Sequence, residues 1–355
     1  MKKIYLKRLF EFFTFFFIVL LLLISSKIFM PKWITNHDNF EKMIADGFYS
    51  EKKNTLDLVF IGNSDTYSAI SPMEFWGDYG ITSYNYSHPG TTVWMDYYNL
   101  KAVLERQSPR YVFLSVDNVF RTKNAKYGDI AKSMTSMRMS KAKIEALLNK
   151  DVQPSMLVKS SYVFPIIRFH SRYNDLSKED FLYAFKKNYM PTKGFVTSTR
   201  IRKISGNYNY LNKKKKIETI PSKNKKYLDK IKNLCKAKKI KLILLETPSA
   251  DSWTYKRHDA IQAYAKDNKL VFIDLNYNIK EIGIDWNLDT RDRGNHMNLT
   301  GALKVTKFLG KYINDNLSLK NHKNDKNYSK WNIEYKEYLK FREEKLKLMG
   351  TDNYI

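Results

Sequence analysis

A serine near one end of this chain and an aspartate–histidine pair near the other carry the chemistry the sequence can do. Ser64 stands in Gly62-Asn63-Ser64-Asp65, directly after the apolar run 56–61, which predicts a buried strand entering a turn. Asp292-Arg293-Gly294-Asn295-His296 precedes Asn298-Leu299-Thr300-Gly301-Ala302, which predicts the start of a last helix. A serine hydroxyl becomes a nucleophile beside a base, and the base needs an acid that fixes its tautomer. At one edge of a parallel sheet these groups can meet, and the chemistry would be attack on an acyl ester. Gly62 permits the tight turn, and the helix opened by Ser64 would aim backbone N–H groups at a developing oxyanion. On the tetrapeptide alone, a serine that merely caps a helix is the simpler account. His296 changes the weighing: it lies in a Gly/Asn/Arg-rich loop, with Asp292 four residues before it.

The elements that must position these residues follow an α/β rhythm. Strands are predicted at 56–61, 83–87 and 111–116, with a helix over 92–107 stopped by Ser108-Pro109. Residues 120–222 lose the rhythm, apart from helical stretches near 140–149 and 178–187, and are expected to form a largely helical insertion or cap. The rhythm returns with a lysine-rich helix over 225–239, capped by Ser222, and a strand at 241–245 with an exit loop 246–249. A helix over 253–268, a short buried strand at 271–274 and an amphipathic helix over 299–314 complete it. The fold class expected is a three-layer, flavodoxin-like α/β parallel sheet over 55–316. A basic tail, 317–355, carries a helix near 331–348 whose Trp331, Tyr335, Tyr338 and Leu339 could pack back.

The N-terminus bounds the compartment. Lys2, Lys3, Lys7 and Arg8 precede an apolar run, 9–26, extendable to Met30 and just long enough to cross a bilayer. Ile24-Ser25-Ser26-Lys27 is a poor cleavage site, so residues 1–30 are expected to remain as a single-pass anchor and not leave as a signal peptide. The leading cations keep that end cytoplasmic and the body outside, joined by a connector, 31–54. The 355 residues carry 62 Lys+Arg against 36 Asp+Glu, a net charge of +26, which favours polyanions. Outside a cell the expected partners are an anionic surface polymer or glycan and a lipid surface, not nucleic acid. Lys213–Lys216 is either a binding patch or a solvated run. The single cysteine, Cys235, forms no intrachain disulfide and reads as a core residue. His37, His88 and His258 are scattered, so neither a metal nor another cofactor is expected; His88 is a turn residue or lines the pocket.

With these residues in place the chain resembles the SGNH (GDSL-type) hydrolase superfamily, in its membrane-anchored branch linked to acylation of bacterial surface polymers. That branch includes the D-alanyl transfer proteins of teichoic acid. The resemblance rests on Gly62–Asp65, on Pro89-Gly90-Thr91-Thr92, on 241–249 and 271–276 as sheet elements, and on Asp292–His296 with Met297, Asn298, Gly301 and Ala302. It spans roughly 55–118 and 225–315. It implies Ser64 as nucleophile, His296 as base and Asp292 as acid, with the N–H groups of Ser64 and Gly90 in the oxyanion hole. Asn63, Asp65 and Arg293 become candidate substrate contacts; Arg293 is either a bidentate hold on an anionic group or, equally, a solvent-facing loop arginine. It also implies a multispanning membrane acyltransferase as a partner and a Gram-positive-like cell surface as the setting. Two departures stand out. Arg293 occupies the place three before the histidine where the superfamily has its aspartate, so Asp292 or Asp289 must substitute. The usual Gly-x-Asn-Asp block is replaced by Ser115-Val116-Asp117-Asn118, which leaves Asn118 as the candidate third oxyanion donor. Against catalysis stands a binding or scaffolding protein on the same fold.

Overall fold

The computed structural model describes residues 2–30, 40–122, 127–149, 155–185, 189–204, 211 and 218–350. The lysine run 213–216 and most of the connector before residue 40 lie outside them.

Helix α1 (Lys2–Phe29) meets the body near its C-terminal end and has 6% of its apolar window buried against protein, unlike a core helix, which is mostly buried. It is a helix long and apolar enough to cross a membrane, compatible with a single-pass anchor or a signal sequence. α2 (Phe40–Ser50) leads into the body, burying Ile44 and Phe48 and accepting the Tyr84 hydroxyl at Ile44 O.

The body is α/β. In chain order it runs β1 (Leu58–Ile61), α3 (Ser64–Ala69), α4 (Pro72–Tyr79), β2 (Ser83–Asn85), α5 (Val93–Leu104) and β3 (Tyr111–Ser115). The middle stretch holds α6 (Tyr127–Ser136), α7 (Lys141–Leu148), α8 (Met156–Val163), α9 (Ile166–Phe169) and α10 (Lys178–Phe185). Then come α11 (Ser222–Ala237), β4 (Lys241–Glu246), α12 (Tyr255–Asn268), β5 (Val271–Asp274), α13 (Ile279–Ile282), α14 (Leu299–Asn316) and α15 (Ser329–Met349). Five strands pair in parallel in the order β2-β1-β3-β4-β5. α3, α4 and α14 pack together, and α5 packs with α11, so helices cover the sheet as outer layers.

The central strands are apolar runs because both their faces are covered. β1 and β3 are buried throughout, with Phe60 stacked between Phe75 and Phe113 at ring separations of 5.8 and 4.9 Å. Each such side chain contributes about 1.5–3 kcal/mol by leaving water. β5, expected to be buried, is an edge strand with only Asp274 fully covered. Ser222 is not the cap of α11 but its first residue; Pro221, with φ −57°, precedes it and leads the chain in.

The stretch 120–222 divides in two. Of its short helices, α6 lies on α2, α9 and α10 lie on α1, α8 joins α6 to α9, and α7 packs on α5. Residues 190–204 instead lie against the sheet domain: Asn85 N donates to Lys193 O, Val196 N to Tyr67 O and Arg202 N to Thr290 O. The basic tail is equally engaged. Trp331 packs on Trp76, Tyr338 and Arg342 bond Glu74, and buried Lys193 bridges Glu51 and Glu334 at 2.7 and 2.6 Å.

Candidate active site

Order 2-1-3-4-5 reverses direction between β1 and β3, and ligands of such sheets bind at the carboxyl ends beside that reversal. Gly62 ends β1 there. A Cβ on it would lie 2.5 Å from Ser115 Cβ and 2.6 Å from Thr66 Oγ1. The residue is therefore required by close approach to β3, not by turn freedom. Asn63 caps α3, its Oδ1 accepting from Asp65 N at 3.2 Å while its Nδ2 donates to Asp117 Oδ2 at 2.9 Å. Ser64 is the first residue of α3 and stays partly exposed.

The opposing loop is folded by its own hydrogen bonds. Thr290 bridges Met297, its Oγ1 donates to His296 O at 3.1 Å, and Gly294 N donates to Thr290 Oγ1 at 2.7 Å. Arg293 and Gly294 are both left-handed, at φ 70° and 97°. A Cβ on Gly294 would strike Ile204 Cδ1 at 2.5 Å, which adds a steric reason for glycine. Residues 198–204 brace the loop from outside through Ser198 O, Arg200 O and Arg202 O.

These two turns meet. His296 Nε2 lies 2.7 Å from Ser64 Oγ, and His296 Nδ1 lies 2.5 Å from Asp292 Oδ2. Asp292 Oδ1 also accepts the His296 backbone N–H at 2.7 Å, so one carboxylate holds both ring and main chain. With Nδ1–H donating to the acid, Nε2 is left to accept the serine proton. Burial pushes the Asp292 carboxyl upward, but the His296 hydrogen bond, its charge and Arg291 outweigh this and hold it below the usual range. Asp289 does not reach the histidine. It is fully buried, bound to Lys304 Nζ at 2.6 Å and to Asp285 N at 2.8 Å.

Beneath the serine lies a buried acidic group. Asp65 Oδ1 is 3.6 Å from His296 Nε2, and burial followed by the nearby Asp117 carboxylate pushes Asp65 up to about 7. Glu246, at the end of β4, is fully buried and raised well above the carboxylate range by burial, then by Asp117, Asp274 and Asp65. Arg257 offsets part of this charge, with Nη1 3.9 Å from Asp117 Oδ1.

The other expected site residues fall differently. Asn63 and Asp65 are 2% and 5% exposed, so they position the turn and do not present themselves to a substrate. Asn118 turns inward: its Nδ2 donates to Asp96 Oδ2 at 2.5 Å and to Thr91 O at 3.4 Å. Asp117, not Asn118, approaches the serine turn, because the short helix Asp117–Phe120 begins there. Gly90 is left-handed at φ 65°, its carbonyl accepting from Arg121. Arg293 is exposed at the tip of its loop, whereas Arg291 reaches the site, lying over the Tyr67 ring and 3.9 Å from Asp292 Oδ2. His88 is buried edge-on to Tyr86, and burial pushes it down to about 4. Buried Cys235 is raised to about 12. Asp117, Arg257, Glu246 and Arg291 were not singled out from sequence. Glu246 and Asp117 carried a signal, since both follow apolar strands at the edge that bears Ser64. A cavity of about 800 Å³, lined by Tyr111, Lys241 and Val271 at the strand starts, lies at the opposite end of the sheet.

No protein-family model and no curated protein matches this chain. Among solved structures it is similar to a candidate acylhydrolase from Bacteroides fragilis, at 16% identity and TM-score 0.36, over 80% of this chain and 98% of that one. A GDSL-like lipase from Bacteroides thetaiotaomicron matches at 16% and 0.34, over 73% and 88%. A gut microbial diltiazem-metabolizing enzyme matches at 12% and 0.35, over 74% and 49%. Likeness at this level carries no chemistry, which rests on the side chains themselves.

Proposed function

We propose that this chain is an SGNH-type serine esterase or O-acyltransferase, held at the outer face of a membrane by α1. The observation that carries this is the unbroken hydrogen-bond line from Ser64 Oγ through the His296 ring to Asp292. Ser64 Oγ attacks the carbonyl carbon of an ester while its proton passes to His296 Nε2. The tetrahedral oxyanion is met by the Ser64 N–H, with the Gly90 N–H as second donor. Collapse expels the alcohol, which takes the proton from His296 and leaves acyl-Ser64. Water or a glycan hydroxyl then gives its proton to His296 and attacks the acyl carbon, and collapse breaks the bond to Ser64 Oγ, which takes that proton back as acid or a new ester leaves. Asp292 stays ionised throughout and stabilises the imidazolium.

The net charge of +26 and the apolar helix favour an anionic surface polymer as acceptor or substrate, of teichoic type, carrying small acyl groups. A membrane acyltransferase would be the natural donor for transfer. Asp117 bears on the direction. A carboxylate beside the nucleophile turn opposes a developing oxyanion, which favours a slow free hydrolase whose true acceptor completes the site. The same observation favours the second reading, a polymer-binding partner of a membrane acyltransferase that turns nothing over.

The two are separated by measuring alkali-labile acyl groups on the envelope polymer in cells carrying Ser64→Ala at unchanged protein level. A changed acyl content supports the enzyme. Unchanged acyl content with retained polymer binding supports the binder.

A further inference from the structure

The short helices α8, α9 and α10 beside α1 have no part in the chemistry, yet among the described residues they expose six large apolar side chains. Met156 and Leu157 on α8 are 76% and 68% exposed, and Phe181, Leu182 and Phe185 on α10 are 48%, 58% and 68% exposed. Phe181, Leu182 and Phe185 fall at i, i+1 and i+4, one stripe of the helix. Contiguous exposed apolar surface marks something that covers it.

Depth identifies the cover. In α1, Lys7 and Arg8 at one end and Lys27 at the other delimit the stretch that can lie in hydrocarbon. Leu20, Leu23 and Ile24 are seven, four and three residues before Lys27, which at 1.5 Å per residue puts them roughly 10, 6 and 5 Å below the outer interface. These three line one wall of a cavity of about 660 Å³ whose other wall includes Val163, Ala184 and Phe185. The collar is fixed at this height: Arg172 Nη1 donates to Phe29 O at 2.7 Å and Ile166 N to Ser26 Oγ at 3.3 Å. Resting on the proposal that α1 stays in the membrane, residues level with Leu20 must then be at bilayer depth. Lys27, Lys42 and Arg138 line the same cavity, and although Asp46 pairs with Lys42 at 2.6 Å and with Arg138 at 3.5 Å, the three cations leave a net positive charge there. Cations at that level suit lipid phosphates.

We propose that α8, α9 and α10 form a collar that lies in the outer leaflet, with the apolar side chains of α8 and α10 among the acyl chains and Lys27, Lys42 and Arg138 at the phosphates. The collar sets the height of the site as well. Lys42 belongs to α2, whose first residue, Phe40, packs on Tyr67 of α3 at 5.1 Å, one turn from Ser64. The nucleophile is thereby held close to the membrane surface, where a lipid-borne acyl donor or acceptor would arrive.

The test uses the full chain in nanodiscs of phosphatidylglycerol and phosphatidylcholine. With Cys235→Ala as background, a nitroxide is placed at Leu157→Cys, Leu182→Cys, Phe16→Cys in α1, or Lys266→Cys on α12 at the far sheet edge. Collision with oxygen and with a water-soluble nickel chelate is compared. Positions 157 and 182 are expected to favour oxygen, as position 16 does, with the ratio reversed at position 266. Nickel access at 157 and 182 like that at 266 overturns the collar while leaving the anchor intact. Shielding of 157 and 182 from both reagents also overturns it, because protein and not lipid would cover them. A water-like result at position 16 removes the anchor and the collar with it.

Discussion

Ser64 and His296 are 232 residues apart in the chain, and their Oγ and Nε2 atoms are 2.7 Å apart. Neither segment can make this contact by itself. β1 must be central for its exit turn to lie at the sheet's reversal point, and the 289–299 loop must be closed by Thr290 and Asp292 before the ring can point outward. The pair is a product of topology, and its geometry is that of a nucleophile and its base.

Asp292 and Asp289 separate by mutation. Asp292→Asn removes the acceptor that fixes the His296 tautomer, and Ser64-dependent ester turnover is expected to fall by about three to four orders of magnitude. Asp289→Asn is expected to leave turnover near normal and to lower thermal stability, since it loosens Lys304 and the Asp285 turn. Steady-state kinetics on a soluble ester, read beside melting curves, checks both.

On the proposed mechanism, Asp117 acts as a brake that can be released. Asp117→Asn removes a negative charge beside Asp65 and the serine turn and offers a neutral donor in its place. Hydrolysis of a small activated ester is expected to rise about tenfold, less than the ~100–1000-fold that a fully formed oxyanion donor is worth. Unchanged or lower kcat with normal folding would show that Asp117 does not oppose the transition state.

Asp96 gives a pH signature unconnected with chemistry. It is fully buried, and burial pushes its carboxyl up to about 7, although Asn118 and Thr91 pull the other way. The folded chain therefore keeps a proton between roughly pH 4 and 7 that the unfolded chain has lost, so this group's contribution to stability falls as pH rises through that window. Asp96→Asn stays neutral throughout. Its melting temperature relative to the parent is expected to climb from pH 4 to pH 8, by at most ~4 kcal/mol of stability.

Lys193 ties three remote segments together from a site with no solvent exposure, between Glu51 and Glu334 and over the Trp331 ring at 4.3 Å. Lys193→Met would leave two buried carboxylates short of their shared cation. A loss of about 3–5 kcal/mol is expected, measured by denaturant melts of the variant beside the parent.

Much of the scaffold was legible because periodicity reports burial. Apolar runs marked β1, β3 and β4, and helical spacing marked α5, α12 and α14 to within a few residues. Ser64, Asp292 and His296 stood out because few residue types can combine as nucleophile, acid and base at a strand end and a loop tip, and the fold brings these three into hydrogen-bond contact. What escaped depended on contacts across the fold. Asn118 looked like a donor until its partner Asp96 appeared, and Arg293 looked like the site's arginine until the left-handed turn sent it outward and left Arg291 inside. The collar helices are too short to show a period, and their apolar residues face outward, against the rule that locates a core.

The central claim is that Ser64 is an activated nucleophile. The most direct measurement is fluorophosphonate labelling of the full chain in membranes, with the modified peptide identified by mass, beside Ser64→Ala and His296→Ala. Adduct formation on Ser64, abolished by Ser64→Ala and cut by at least about a thousandfold in rate by His296→Ala, is the predicted result. Failure of the folded wild-type chain to label, while a known serine hydrolase in the same membranes reacts, would contradict it and favour the polymer-binding reading.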